Sequence, residues 1–578
     1  MELTVSQYIA KVVKAHGSRS VFELSGGMIM HLLDAIAQEG GIEIVNVYHE
    51  QAAAFAADAE GRLSGRPGVA IGTSGPGAIN LLTGVGSSFF DSSPTVFITG
   101  QVNRHEQKGG KDIRQLGFQE TDIVSMAKPV TKFAARITEP EQIIDVLPRA
   151  FAIATSGRPG SVLVDVPMDV FRAKIDVPDS ANMVVVQKKS APDIDAKALE
   201  NLVQSLKTAK RPLILAGAGI RAARCQIDLK NLAETLEIPV ANSLLACDVL
   251  PYNHPLRVGM IGTYGHRWAN IAISECDVLL VLGSRLDIRQ TGADTVSFKQ
   301  GRQIFHVDVE AGEINNRVKD CVAIKADLPD FFEAAQTHLG PAAKADRRPW
   351  IERINELRTT WPDIHELNNI AGINPNVFMH ALSKGRNPAA YCVDVGLHQM
   401  WAAQSLEITQ DARFLTSGGM GAMGFALPAG VASAFHFQKT RPIVVVAGDA
   451  GFQLNIQELQ SIAHHHLPVK MIVINNHCHG MTRQFQDTYF ASRYTGTVWG
   501  YSTPDFAAVA RGYGLAARQV KTSADVAAAV EWLWADPLSP ALLEVEIDLK
   551  TNAYPKMAFG KPISEMEPFA KPMEMEGT

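Results

Sequence analysis

The chain has 578 residues, more than one hydrophobic core can organise, so several domains are expected. Hydrophobic residues make up 46% and charged residues 20%, the balance of a globular protein, and a net charge of −6 offers no electrostatic footprint for nucleic acid. No stretch reaches the ~18 uninterrupted apolar residues of a membrane span, and the six cysteines show neither CxxC nor metal-ligand spacing, which predicts a reduced, cytoplasmic setting.

Residues 1–17 alternate polar and apolar positions at helical spacing without a continuous apolar core, so a helix is expected rather than a signal peptide. Residues 1–175 then alternate helices with short apolar strands at 21–24, 44–47, 68–72, 95–99 and 161–166, the pattern of a doubly wound α/β domain. Glu50 follows the second of these strands and opens a helix of small residues. Standing alone, it reads as an acid that complements a helix dipole. A polar segment at 187–195 is expected to be a linker.

A second α/β domain is expected over 190–340, with apolar strands at 212–216, 277–282 and 304–309. Its Gly217-Ala218-Gly219 turn is by itself weak, but Arg285, Arg289, and Asp308 and Asp327 at strand ends point together to a nucleotide. Residues 340–348 are expected to join domains. A third α/β domain is expected over 370–550, and the tail 551–578 shows no pattern that assigns an element. The fold class is therefore α/β, with three doubly wound parallel-sheet domains.

The most informative stretch lies in the third domain. A β-branched run at 443–446 breaks at Gly448-Asp449-Ala450-Gly451, continues helically through Ile456, Leu459 and Ala463, and re-enters a β-branched run at 471–474. Asp449 and Asn475-Asn476 thereby stand at the carboxyl ends of parallel strands, where open α/β sheets place ligands. Asp449 and Asn476, 27 residues apart, are hard oxygen donors suited to magnesium that also holds a phosphate. The amides of Gly448, Ala450 and Gly451 can receive the phosphate. The plainer alternative is a buried strand-helix-strand unit with an acidic turn and no ligand. Adjacent residues cannot all face one ion, so His464, His465 and His466 read as a solvated helix end.

This Gly-Asp to Asn-Asn segment resembles the diphosphate-binding motif of thiamine diphosphate enzymes. With Glu50 in a His-Glu-Gln-Ala sequence, the whole chain is similar to the acetohydroxyacid (acetolactate) synthase group. The resemblance implies a pyrimidine-binding first domain, a central FAD-binding-like domain and a diphosphate-binding third domain, using thiamine diphosphate, Mg2+ and a structural FAD. It makes Glu50 the acid that hydrogen-bonds the aminopyrimidine ring, with Pro76 and Asn80 lining that ring. It makes residues 415–428 the cofactor loop, where the Gly421 carbonyl accepts from the aminopyrimidine and Met423 props the cofactor. Gly396 and His398 would contact the diphosphate, and the Cys478 carbonyl would join Asp449 and Asn476 at the metal. Gln119 would act at the reacting centre, with Gln101 and Phe118 around the substrate. Arg158, Gly217, Gly219, Leu244, Gly259, Arg285, Arg289, Asp308 and Asp327 fall on the group's FAD contacts.

The activity so implied is decarboxylation of pyruvate and transfer of its two-carbon unit to a second carbonyl substrate. The partner implied is at least one further copy of the chain, in a dimer or tetramer, with Glu50 and Asp449 of one site on different subunits. Leu397, Met168 and Phe485 stand where the group has Gln, Lys and Trp. The lost cation and the opened volume alter a pocket more than a scaffold. A nucleotide-linked 4-keto-deoxysugar as acceptor, and a flavin-dependent pyruvate oxidase, are the alternatives.

Overall fold

The computed structural model describes residues 1–178, 180, 182–185, 194–338 and 345–574. Residues 187–193 and 340–344, the bulk of both expected linkers, lie outside the described residues, as do 575–578 of the tail.

Three six-stranded parallel sheets, flanked by helices, make up the chain. The first runs in the order Glu43–Asn46, Ser20–Leu24, Gly68–Gly72, Thr95–Gln101, Ser161–Pro167 and Phe133–Arg136. The central sheet is ordered Arg257–Met260, Val240–Asn242, Pro212–Ala216, Val278–Leu282, Gln303–Asp308 and Val322–Lys325. The third is ordered Arg413–Leu415, Ala390–Val393, Ile443–Gly448, Val469–Asn475, Ala541–Glu546 and Ala516–Val520. Every strand read from the first two domains is present. The edge strand Phe133–Arg136 was not read, because its FAAR sequence is short and only half-buried and so lacks an apolar signature.

The expected N-terminal helix spans Val5–Ala15 and is capped by Thr4, whose hydroxyl accepts from the Gln7 amide while the Gln7 side chain accepts from the Thr4 amide. In the third sheet, the paired central strands Ile443–Gly448 and Val469–Asn475 are buried along their length, as a parallel sheet covered on both faces requires. The single helix expected after Gly448 is instead interrupted. It runs Asp449–Leu454, breaks at Asn455 and resumes as Leu459–His464. The cause is tertiary: Asn455 is fully buried, and its amide donates to the Gly424 carbonyl at 2.8 Å and to Gln51 Oε1 at 3.2 Å.

First and third domains share one core. The helix Glu50–Ser64, rich in alanine, packs against Ala426–His436, and small side chains on both let the backbones approach closely. Arg62 pins the seam, donating to Asp58 at 2.6 Å, Asp91 at 2.9 Å and the Thr416 carbonyl at 2.7 Å. Asp91 in turn accepts from the amides of Gly418 and Gly419, fixing the start of the loop 415–428.

The tail forms a small antiparallel pair, Lys556–Met557 with Met566–Glu567. It docks on the central domain: the Met557 amide donates to the Thr263 carbonyl at 2.7 Å, and Met557, Ile563 and Met566 enter the core around Trp268.

Candidate active site

The expected site residues fall into two clusters. The first surrounds Glu50. The strand Glu43–Asn46 delivers the chain to a turn where the His49 side chain caps the next helix by accepting from the Gln51 amide, leaving Glu50 as the first helical residue. Glu50 is 6% exposed. Its Oε2 accepts from Asn80 Nδ2 at 2.9 Å. Its Oε1 lies so near Gly77 that a Cβ there would stand 3.1 Å away. Pro76 opens the helix Pro76–Phe90, and Gly75, at φ 64, makes the turn before it. Gln119, itself at φ 68, packs against Gly75, where an added Cβ would come within 2.9 Å of the Gln119 Cβ. The structure thus brings Glu50, Pro76, Asn80 and Gln119 to one place.

The second cluster surrounds Asp449. Its Oδ1 accepts from the Ala450 amide at 2.7 Å, while its buried Oδ2 completes no hydrogen bond. The carboxyl faces the backbone amides of His477 and Cys478, just beyond Asn476, and burial pushes its pKa up to about 6. Asn476 is buried and its Oδ1 accepts from the Cys478 amide at 3.3 Å. The Tyr501 phenol lies beside Asp449, raised above its usual range by burial and by that carboxylate. A buried carboxylate oxygen without a completed hydrogen bond, in a chain segment followed by the buried amide oxygen of Asn476, is chemistry that fits a hard divalent cation. Asn475 is committed elsewhere, its amide donating to Glu544 at 2.8 Å.

His398 and Asp394 bind the surrounding loops together. Gly396 precedes the helix Leu397–Ser405, and the His398 Nε2 accepts from the Gly448 amide at 3.2 Å. Burial pushes the His398 imidazole down to about 3, so the ring is neutral and can accept there. Asp394, which sequence reading did not single out, is fully buried. It accepts from the amides of Val395, Gly424 and Ala426 at 2.9–3.0 Å. A Cβ on Gly451 would lie 2.6 Å from Asp394 Oδ1, so only glycine admits this approach of the two turns. Burial raises the Asp394 carboxyl to about 6. Gly421, at φ +71, leaves open space where a Cβ would stand, and Met423 is half-buried beside it. No pattern in the sequence distinguishes Asp394 from an ordinary acidic strand end.

Asn455 and Glu458 tie the third domain to the segment around Glu50. Glu458, fully buried, accepts from the Tyr48 amide at 2.9 Å and from the Ser461 hydroxyl at 2.7 Å, and burial raises it to about 7. With Asn455 holding Gln51, residues on both sides of Glu50 are tied to the third domain.

Among the positions expected around substrate, Phe118 is 79% exposed and Met168 begins the short helix Met168–Arg172. Phe485 lies on the helix Gly480–Tyr489, its ring 4.8 Å from that of Tyr489. Gln101 is buried, and its amide is taken up by the Thr121 carbonyl, Asp165 and the Val102 amide.

The central domain contains a cavity of about 400 Å³, within the range of ligand pockets. Arg158, Gly219, Leu244, Arg285, Arg289, Asp308 and Asp327 line it, and the loop residues Gly418 and Gly419 reach its edge. Gly217 and Gly259 are not in the lining. A Cβ on Gly217 would strike the Gly283 carbonyl at 2.1 Å, so that glycine serves strand-to-turn packing. Gly259, at φ +120, packs on His266. Basic and acidic side chains at strand ends beside Gly219 and Gly283 fit a dinucleotide.

Three family models match the chain. The thiamine pyrophosphate enzyme N-terminal TPP binding domain matches 3–126, the central domain 199–335 and the C-terminal TPP binding domain 394–545. The acetolactate synthase large subunit of Parasynechococcus marenigrum is 36% identical over 569 residues, covering 96% of this chain and 89% of that one. Acetolactate synthase isozyme 2 large subunit of Escherichia coli is 34% identical over 568 residues, covering 97% and 98%. The probable acetolactate synthase large subunit of Methanocaldococcus jannaschii is 35% identical over 532 residues, covering 89% and 87%. The N-terminal, central and C-terminal models follow one another along the chain, these relatives cover nearly all of it, and the chain belongs to the acetolactate synthase-like family of thiamine diphosphate enzymes.

Proposed function

We propose that the protein is a thiamine diphosphate-dependent carboligase that decarboxylates pyruvate and transfers the two-carbon unit to an acceptor carbonyl. The observation that carries this reading is Glu50: a buried carboxyl at a helix start, one oxygen held by Asn80 and the other beside Gly77. When bound, thiamine diphosphate supplies a carbon nucleophile and an electron sink for the carbanion left by CO2 loss.

The chain's own residues do the rest. Glu50 holds a proton at the aminopyrimidine side, and Asn80 orients its carboxyl. Gly421 leaves room for the cofactor's approach, and Met423 fills the gap beside it. Asp449, with Asn476 and the Cys478 carbonyl, would hold magnesium against the diphosphate. The amides of Gly448, Ala450, Gly451 and Gly396, with His398, would receive the phosphate oxygens. The central cavity would hold FAD in a structural role, since the carboligation has no net redox step for it to serve.

Glu50 and Asp449 serve opposite ends of one cofactor across a subunit boundary, in a homodimer or tetramer. In support, Ile113, Leu116 and Phe118 are exposed apolar side chains next to Gln119, a surface that a second copy would cover. Among the described residues no helix is long and apolar enough to cross a membrane.

Uncharged Met168 and the modest ring of Phe485 bear on the choice of acceptor, with a second keto acid, as in acetolactate synthesis, as the first reading and a nucleotide-linked 4-keto-deoxysugar as the second. Pyruvate supplied with thiamine diphosphate, Mg2+ and FAD, and offered a second pyruvate, 2-ketobutyrate or such a sugar, tests this by product mass. Carboligation products with unreduced FAD are expected. Reduction of FAD by pyruvate at the catalytic rate would instead make the protein an oxidase.

A further inference from the structure

One wall of the central cavity is built by all three domains. Phe90 and Asp91 of the first domain, Leu245 of the central domain, and Gly418 and Gly419 of the third all line it. A Cβ on Gly418 would stand 2.7 Å from Leu245 Cγ, and one on Gly419 would stand 2.8 Å from both Asp91 Oδ1 and the Phe90 carbonyl oxygen. The two glycines are therefore pressed between the first and central domains, at the edge of the space that a nucleotide would fill.

Asp91 holds this wall together. Its side chain is fully buried: Oδ2 accepts from Arg62 at 2.9 Å and from the Gly418 amide at 3.1 Å, and Oδ1 accepts from the Gly419 amide. The strand that enters the loop is fixed from the central domain as well. Asp248 accepts from the Phe414 amide at 3.0 Å and from Arg221 at 3.0 Å, and Arg221 lies on the helix Gly219–Ala222, whose Gly219 lines the cavity. At the far end of the loop, the Gly424 carbonyl accepts from Asn455 at 2.8 Å, and the same Asn455 amide donates to Gln51, next to Glu50, at 3.2 Å. None of residues 418–423 is buried, so the shape of this stretch is set at its two anchored ends. A chain of contacts thus runs from the cavity wall, through residues 418–424, to the segment that carries Glu50.

We propose that Asp91 is a positioning residue that couples the central cavity to the loop on the thiamine side: a nucleotide seated in the cavity closes the wall over Asp91 and the Gly418 and Gly419 amides, and so fixes residues 418–424 in the shape that receives thiamine diphosphate. The inference rests on the readings of the two sites given above and deepens them, by giving the flavin a linkage role between sites.

The test follows the full chain, free of thiamine diphosphate, by amide hydrogen exchange with and without FAD, and measures its Kd for thiamine diphosphate in Mg2+ by equilibrium dialysis in both states. In the parent, FAD alone should slow exchange across 416–424 and tighten thiamine diphosphate roughly tenfold, with thiamine diphosphate tightening FAD by the same factor. Asp91→Asn keeps the size but offers one acceptor oxygen to the two glycine amides. In that variant FAD should still slow exchange across 283–289 of the cavity, while protection of 416–424 is lost and the coupling factor falls to about one. A purely structural Asp91 would weaken thiamine diphosphate equally with and without FAD, leaving the factor unchanged. Leu245→Ala opens the wall under Gly418 without touching Asp91; it should lower the factor too, and it carries the test if Asp91→Asn fails to fold. Protection confined to 283–289 in the parent, or variants that keep the parent's factor, overturn the proposal while both site readings stand. No protection by FAD anywhere overturns the flavin reading and the proposal with it, and a parent that binds no thiamine diphosphate overturns the carboligase reading and the coupling together.

Discussion

Replacing Glu458 with glutamine isolates one buried carboxyl whose cost depends on pH. Burial raises Glu458 from an ordinary 4.5 to about 7 in the folded protein. Such a group is more protonated folded than unfolded. The stability it contributes is whole below about 4.5 and is lost as pH climbs through about 7. At about 1.4 kcal/mol per pH unit, ionised Glu458 costs at most about 3 kcal/mol at pH 8. Glutamine keeps an oxygen for the Tyr48 amide and gives Ser461 a donor in place of an acceptor. Glu458→Gln should therefore raise the thermal midpoint by several degrees at about pH 8 and leave it nearly unchanged at about pH 5. Protein concentration and cofactor content must be matched, because association and ligands shift midpoints on their own. A variant whose midpoint tracked the parent's across that range would refute the reasoning.

Asp449→Ala should weaken magnesium-dependent retention of thiamine diphosphate roughly 100-fold in equilibrium dialysis, and an unchanged affinity would remove Asp449 from the metal site. Gly219→Val puts side-chain carbons within 2.7 Å of the Gly283 Cα at the mouth of the central cavity, so after incubation with FAD and gel filtration the variant should retain far less flavin than the parent; equal retention would place the nucleotide elsewhere. Met168→Lys combined with Phe485→Trp should shift acceptor choice toward 2-keto acids, and the same product ratio in competition would count against these positions as pocket residues.

What could be read from the sequence was local in origin. Asp449 and Asn476 sit on one strand-helix-strand unit, so their meeting follows from chain geometry, and the His-Glu-Gln turn sits where a strand yields to an alanine-rich helix. What was missed depends on distant partners. The break at Asn455 is set by Gly424 and Gln51, and Glu458 meets the Tyr48 amide of the first domain. Helical periodicity alone makes 449–464 one helix. The tail gave no pattern because its strands are two residues each and owe their order to Thr263 and Arg267 of another domain. Gln101 matched a substrate position by its place in the chain, yet its amide is spent on neighbours no short motif reveals.

The central claim is that Glu50 activates the bound cofactor, and the most direct measurement is deuterium exchange at the thiazolium carbon of thiamine diphosphate bound to the protein, stopped by acid and read by NMR. Glu50→Gln keeps the size and the Asn80 contact but cannot hold the proton, so exchange should slow by roughly 100-fold or more, with CO2 release from pyruvate falling alongside it. Exchange in that variant as fast as in the parent would contradict the account.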